Sequence, residues 1–388
     1  MMRQSLKRVL IIHPEGNLFN NPSLKSIVDL LLDKGCSIDF RYQKSHSPMP
    51  RREGIRLLPF GVIARRLKPV LFDRICFWPL VFLLGIVDIF IYYNKYNLII
   101  GVDREGLIEA SVISKITGTP CVFISFEILF ESETSVRYKS LERKASRNVA
   151  AWLVQDEVRA EQLQKENALD PGNKILLPLA SAGVGCLSTT RLRDNLGVPE
   201  DKKIAIVIGS VHGWSMIGQI LKSVACWPED WALIVHDRYG GTSKNLAGEL
   251  SAQRHLLGRK IFISDAATEQ VDDMGSVLSG VSVGLAFYEP DVKNLYTGKN
   301  LKYLGLASGK ICTYLRYGIP VVINEIGLFA DEARLHRFGY VVEHPDQIRE
   351  CLNHCLDEQY RRNALDYFKN ILDFNIYRDD IWRRLSSA

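Results

Sequence analysis

Short apolar runs recur along the chain and alternate with longer stretches of helical periodicity. Val9-Leu10-Ile11-Ile12 reads as a buried parallel strand that ends at His13-Pro14. A loop through Gly16 follows, then a helix over 23–34 with Ser23 as its N-cap and Gly35 as its stop. Residues 37–41 form the next strand, and the right-handed crossover rule makes this βαβ unit half of a Rossmann-like sheet. Strands at 97–102, 120–125 and 150–154 then alternate with helices at 107–117, 138–148 and 157–166. From 179 to 201 the pattern dissolves into Ser, Thr, Gly and Pro, and a second alternation begins at once. Its strands lie at 203–208, 231–236, 260–263, 281–287 and 320–324, and residues 347–384 read as several helices.

The expected organisation is therefore α/β, with two tandem Rossmann-like doubly wound domains facing each other across a cleft. Residues 1–180 form the first, 181–201 the linker, 202–365 the second, and 366–388 a helical segment that packs back on the first. The length of 388 residues agrees, being too great for one ordinary core. Such domains turn the carboxyl ends of their strands toward ligands. Transferases, epimerases, phosphorylases and binding proteins all fit the architecture.

Composition narrows the choice. A hydrophobic fraction of 47% and a charged fraction of 24% are those of a soluble globular protein. The net charge of +5 comes without a basic stripe interleaved with stacking aromatics, so nucleic acid is not an expected partner. Most of the eight cysteines sit alone in apolar runs, as buried thiols of a reducing compartment do. Cys351 and Cys355 lie one helical turn apart, but no second pair at metal-site spacing accompanies them. The first apolar run is too short for a signal-peptide core, which points to the cytoplasm. Residues 75–93 are the most apolar, yet Pro79 and Asp88 interrupt them, whereas a spanning helix needs roughly 20 predominantly apolar residues.

The chemistry concentrates after the strand at 281–287. Ala286-Phe287-Tyr288-Glu289-Pro290 runs into a polar loop, and the loop feeds a helix that begins Ser308-Gly309-Lys310 and ends at Gly318. Free N–H groups at a helix start bind anions, Gly309 lets a phosphate approach the backbone, and Lys310 adds a full charge. A diphosphate suits this arrangement. Here the chain resembles the nucleotide-sugar-dependent GT-B glycosyltransferases, especially glycosyltransferase group 1, or family four. Their pattern Ser-x-Lys-x-x-Glu-Tyr-Leu-x-x-Gly-x-Pro-Val-Val is matched at Ser308, Lys310, Tyr314, Leu315, Gly318, Pro320, Val321 and Val322. Many members carry Glu where this chain has Gly305 and Thr313, the first at the donor sugar and the second at the ribose.

The resemblance implies a donor site in the second half. Ser308, Gly309, Lys310 and Arg238 would hold the diphosphate, with Arg238 alternatively a surface turn residue; Gly209, Ser210, His212, Tyr288 and Thr313 would meet the nucleotide or sugar. In the first half, His13, Asp103 and Glu127 stand at strand ends and are the catalytic candidates. For Glu127 the roles are proton acceptor or stabiliser of an oxocarbenium-like sugar, against a structural ion pair. His13 is a candidate for polar contact, although a lone histidine at a strand end more often has a structural role. No cofactor and no metal are expected, because relatives meet the phosphate charge with helix dipoles and basic side chains; the nucleotide sugar is a co-substrate. The acceptor is a glycan, a lipid-linked or another small molecule.

Arg51, Arg52, Arg56, Arg65, Arg66 and Lys68 precede the apolar stretch at 75–93. Two readings stay open: a peripheral face for anionic membrane, or a core helix with solvated basic residues above it. For the whole chain the leading reading is glycosyl transfer in polysaccharide or glycoconjugate biosynthesis. A nucleotide-sugar 2-epimerase and a catalytically silent nucleotide-sugar-binding protein are the alternatives.

Overall fold

The opening apolar run becomes β1 (Arg8–Ile12), buried along nearly its whole length, as a strand covered on both faces must be. The computed structural model to which this strand belongs describes residues 6–14, 16, 18–42, 51–59, 96–268, 272–291 and 297–388. Helix α1 (Pro22–Asp33) follows β1. Its cap is Asn21 rather than Ser23: the Asn21 side chain accepts the Leu24 N–H, and Pro22 takes the first helical position, where a missing N–H costs nothing. Then come β2 (Ser37–Tyr42) and β3 (Ile55–Pro59). The second of these had no counterpart in the apolar pattern.

The chain next returns to the other side of β1. Strands β4 (Leu98–Val102), β5 (Cys121–Ile124), β6 (Ala151–Val154) and β7 (Lys174–Leu176) complete a parallel seven-stranded sheet in the order β3-β2-β1-β4-β5-β6-β7. Helices α2 (Asp103–Thr117), α3 (Val136–Ser146) and α4 (Glu157–Glu166) link them. Helix α2 starts four residues earlier than the periodicity suggests, because Asp103 takes a left-handed backbone (φ 53°) and turns the chain straight out of β4.

A second parallel sheet repeats the plan in the order β10-β9-β8-β11-β12-β13. Its strands are β8 (Lys203–Ile208), β9 (Trp231–His236), β10 (Ile261–Ser264), β11 (Val283–Ala286), β12 (Val321–Asn324) and β13 (Gly339–Val342). Helix α5 (Gly309–Arg316) joins β11 to β12.

Two compact units result, Met1–Leu177 with Tyr377–Ala388, and Pro178–Ile376. The stretch 181–201, expected as a linker, belongs to the second unit. The Leu179 N–H donates to Leu306 O, the Gly185 N–H to Arg316 O, and the Arg316 guanidinium to the carbonyls of Ala182 and Gly183. Its irregular composition thus marks a bonded strap. The expected C-terminal segment is divided in the same way: residues 366–376 lie with the second unit and 377–388 with the first. Arg378 pairs with Asp33 at 2.7 Å and Lys34 lies over the Trp382 ring.

Arg65, Arg66, Lys68 and the apolar stretch at 75–93 lie outside the described residues, as do Glu15 and Asn17. Among the described residues no helix is long and apolar enough to cross a membrane.

Candidate functional site

In an open parallel sheet the ligand crevice lies at the carboxyl ends of the two strands where the chain reverses its direction of travel. In the second sheet these are β8 and β11. Gly209 leaves β8 with φ 81°, and a Cβ there would sit 3.3 Å from Lys310 Cε, so the loop closes directly on the lysine stem. Lys310 donates from Nζ to Ser210 O at 2.9 Å and lies 5.0 Å from the Trp214 ring centre and 5.8 Å from that of Tyr288. The two rings stack on each other, and the Glu289 N–H donates to Trp214 O, which joins the loops after β8 and β11. Burial drops the Lys310 pKa to about 7; Asp237 pulls it up and Arg238 pushes it further down.

Ser308 caps α5, its Oγ accepting the Ile311 N–H at 3.2 Å and sharing a hydrogen bond with the Tyr288 hydroxyl. Both side chains are buried, so they set the helix start against the β11 loop. Thr313 donates its hydroxyl to Gly309 O one turn back. Tyr314 fixes the helix to the sheet: its hydroxyl receives the Ile208 N–H at 3.0 Å and reaches Ile206 O and Leu285 O. The structure therefore gathers Gly209, Ser210, Tyr288, Ser308, Gly309 and Lys310 at one point. His212 is exposed on the same loop, and Arg238, at the end of β9, stacks on Tyr239 at 4.7 Å.

Sequence reasoning passed over Trp214 and Asp237. Trp214 follows Gly213 in the loop after β8, and an aromatic in a glycine-containing turn was the available signal. Asp237 is buried and receives the Tyr239 N–H at 3.0 Å, so its charge reaches Lys310 from a fixed position. Beside it, His236 is bonded through both ring nitrogens, to Ser264 at 2.9 Å and Thr268 at 2.8 Å. Burial takes its pKa down to about 4, which keeps it neutral.

The first sheet has its own reversal between β1 and β4. Gly106 lets α2 approach so closely that a Cβ would stand 2.3 Å from Ile12 O. His13 and Asp103 thereby come to the same end of the sheet. The His13 Nδ1 is buried without a hydrogen-bond partner among the described residues, and burial lowers the ring pKa against the pull of Asp103 and Glu105. Asp103 accepts on Oδ1 from the Phe126 N–H at 2.7 Å and the Glu127 N–H at 2.9 Å. Gln155 donates to Ser125 O and the buried Arg159 to Phe126 O. Glu127 is half-buried on the turn these contacts hold.

No family model matches the chain, and no curated protein matches it in sequence. Solved structures do match. Sucrose-phosphate synthase from Thermosynechococcus elongatus superposes with a TM-score of 0.72 at 12% identity, over 98% of this chain and 99% of that one. Anabaena HepE in complex with UDP-glucose gives 0.69 at 12% identity, over 98% and 100%. The chain has the GT-B fold. WaaG, a glycosyltransferase involved in lipopolysaccharide biosynthesis, extends the likeness with a TM-score of 0.65 at 12% identity, over 98% and 100%. Within the GT-B plan, each Rossmann-like sheet carries one of the two clusters described above. At this level of identity the likeness establishes the architecture, and the reaction has to be argued from the side chains.

Proposed function

We propose that this chain is a glycosyltransferase that moves a sugar from a nucleotide-sugar donor to a glycan, a lipid-linked or another small acceptor, in the building of polysaccharide or glycoconjugate. The observation that carries the reading is Lys310: an amine almost removed from water, which a bound diphosphate would hold in its charged form, at the reversal of the second GT-B sheet, beside the first turn of α5. When the bond from the anomeric carbon to the phosphate oxygen breaks, its electron pair passes to the diphosphate. A fixed cation and unpaired helix N–H groups in a poorly solvated place stabilise that growing charge strongly. Arg238 adds a forked donor for phosphate, and Gly209, Ser210, His212, Tyr288 and Thr313 surround the nucleotide and sugar. The acceptor oxygen forms the new bond to the anomeric carbon, and its proton goes to Glu127. His13 supports that step, and Asp103 supports it through the backbone of the turn that carries Glu127. With the leaving charge met by Lys310 and the helix, the reaction asks for no metal.

HepE was solved with UDP-glucose and with UDP and glucose, which makes UDP the first ligand to try. We place the protein in the cytoplasm, on the inner face of the membrane. The basic residues of 51–68 support peripheral contact there, although Arg52 and Arg56 are engaged with Asp29 and Asp39.

A thermal-shift screen against nucleoside diphosphates and nucleotide sugars tests the reading. A ligand at a hundred times its dissociation constant stabilises by roughly 2.7 kcal/mol. The expected result is a shift with one base that Lys310→Ala abolishes. No shift with any of them would overturn the donor site.

A further inference from the structure

The turn after β5 is held at successive backbone positions by side chains from three other elements. Asp103, at the start of α2, receives the N–H groups of Phe126 and Glu127 on a single carboxylate oxygen, at 2.7 and 2.9 Å. Arg159, from α4 and almost wholly buried, donates to Phe126 O at 2.7 Å. Gln155, just after β6, donates to Ser125 O at 2.8 Å. Farther along, the buried Lys139 of α3 donates to Leu129 O. Each bond to a charged group is stronger than its neutral counterpart, and together they leave this short segment little freedom.

Asp103 can reach two consecutive N–H groups only because of its backbone. A φ of 53° is unusual for any residue but glycine, and aspartate and asparagine tolerate it best among the others. The left-handed turn puts the side chain at the mouth of β4, beside the end of β5 with which β4 pairs from Ile99 and Cys121 to Val102 and Ile124.

We propose that Asp103 is a positioning residue: its carboxylate clamps the paired N–H groups of Phe126 and Glu127 and so sets the direction in which the Glu127 side chain leaves the turn. Arg159 closes the clamp from the opposite side through Phe126 O. This gives Asp103 a different task from the acid–base one suggested by its place at a strand end. The inference rests on the proposed transfer reaction, in which Glu127 takes the acceptor's proton. A carboxylate displaced by about 1 Å can lose roughly a hundredfold in rate, so fixing the turn has a kinetic consequence.

Two substitutions separate the clamp from its alternatives. Asp103→Asn keeps an oxygen that can accept both N–H groups, tolerates the left-handed backbone and removes the charge. Asp103→Gly favours that backbone and removes the acceptor. Hydrogen exchange of the Phe126 and Glu127 amides in the full-length chain reads the clamp, and kcat with donor KM reads its effect. In the Asn variant the amides stay protected and kcat falls far less than in the Gly variant. In the Gly variant the amides exchange faster and kcat falls about a hundredfold, while donor KM and nucleoside diphosphate affinity hold. An Asn variant as slow as the Gly variant, with its amides still protected, would show that Asp103 acts through its charge and overturn the proposal; so would a Gly variant with wild-type kcat. If the wild-type chain transfers no sugar from any nucleotide sugar, the reading of function fails, and the exchange contrast alone then supports or overturns the clamp.

Discussion

Lys310 sits between two aromatic faces and a backbone carbonyl, and its low pKa gives it a pH signature. Burial brings the ammonium from the ordinary 10.5 to about 7, so between those values the unfolded chain holds a proton that the folded chain has released. Stability contributed by this group therefore rises with pH across that window, and below it the cost of burying the charge is present in full. A bound diphosphate favours the charged form. Nucleoside diphosphate binding above pH 7 should thus take up a proton and weaken by up to about tenfold per pH unit. Calorimetry in buffers of different ionisation enthalpy measures the uptake, and Lys310→Met should abolish it; uptake unchanged in that variant would assign the proton elsewhere. Glu127→Gln keeps the shape and removes the proposed base, so turnover should fall by roughly a hundredfold to ten-thousandfold with donor affinity preserved. Near wild-type turnover would make Glu127 a partner of Arg159, whose buried charge it already offsets. Lys310 was legible because Ser-Gly-Lys before an apolar helix states its own chemistry. The Asp103 contacts were not, since they join residues 23 and 24 positions apart and depend on one dihedral angle.

At the level of elements, the reversal between β8 and β11 is locked by Tyr314, whose hydroxyl serves Ile208 N–H and the carbonyls of Ile206 and Leu285 with no exposure to water. Tyr314→Phe leaves a buried N–H without its acceptor and should cost about 1–3 kcal/mol in denaturant unfolding. It should also weaken nucleoside diphosphate binding, because α5 and Lys310 are placed through the same hydroxyl. An unfolding midpoint equal to that of the parent would show that the helix is held by packing alone. The same burial explains which strands could be read from the chain. β1, β8, β9, β11 and β12 are inner strands whose continuous apolar runs follow from cover on both faces. β3, β7 and β13 are sheet edges, and β7 is only three residues long. β3 reads Ile-Arg-Leu-Leu-Pro, with Arg56 turned to Asp39 at 2.6 Å. An edge strand carrying paired charge reads as a basic loop until its partner strand is known.

For the whole molecule, the GT-B fold supplies two strand-end clusters but does not say where in the cell they work, and surface charge bears on that. The net charge is +5, and six of the basic residues lie between 51 and 68. Those six are not equivalent. Arg56 is bound to the nearly buried Asp39 and Arg52 to Asp29, so their charge is largely spent inside the first unit. In the proposed membrane contact, attraction to lipid would then fall to Arg51, which is exposed, and to Arg65, Arg66 and Lys68. Each basic group close to an anionic surface contributes about 1 kcal/mol, and this reach shrinks as the screening length drops from about 10 Å at 0.1 M salt to about 3 Å at 1 M. The protein should therefore sediment with vesicles containing anionic phospholipid, not with neutral ones, and should be released by 1 M salt. Replacing Arg65, Arg66 and Lys68 together by Glu should abolish sedimentation while nucleoside diphosphate binding is kept. Replacing Arg56 should instead lower stability, because the buried Asp39 would be left with only Arg8 and the Tyr96 hydroxyl as partners. Equal sedimentation with neutral and anionic vesicles, or a triple variant that still binds, would show that charge does not bring this protein to a membrane.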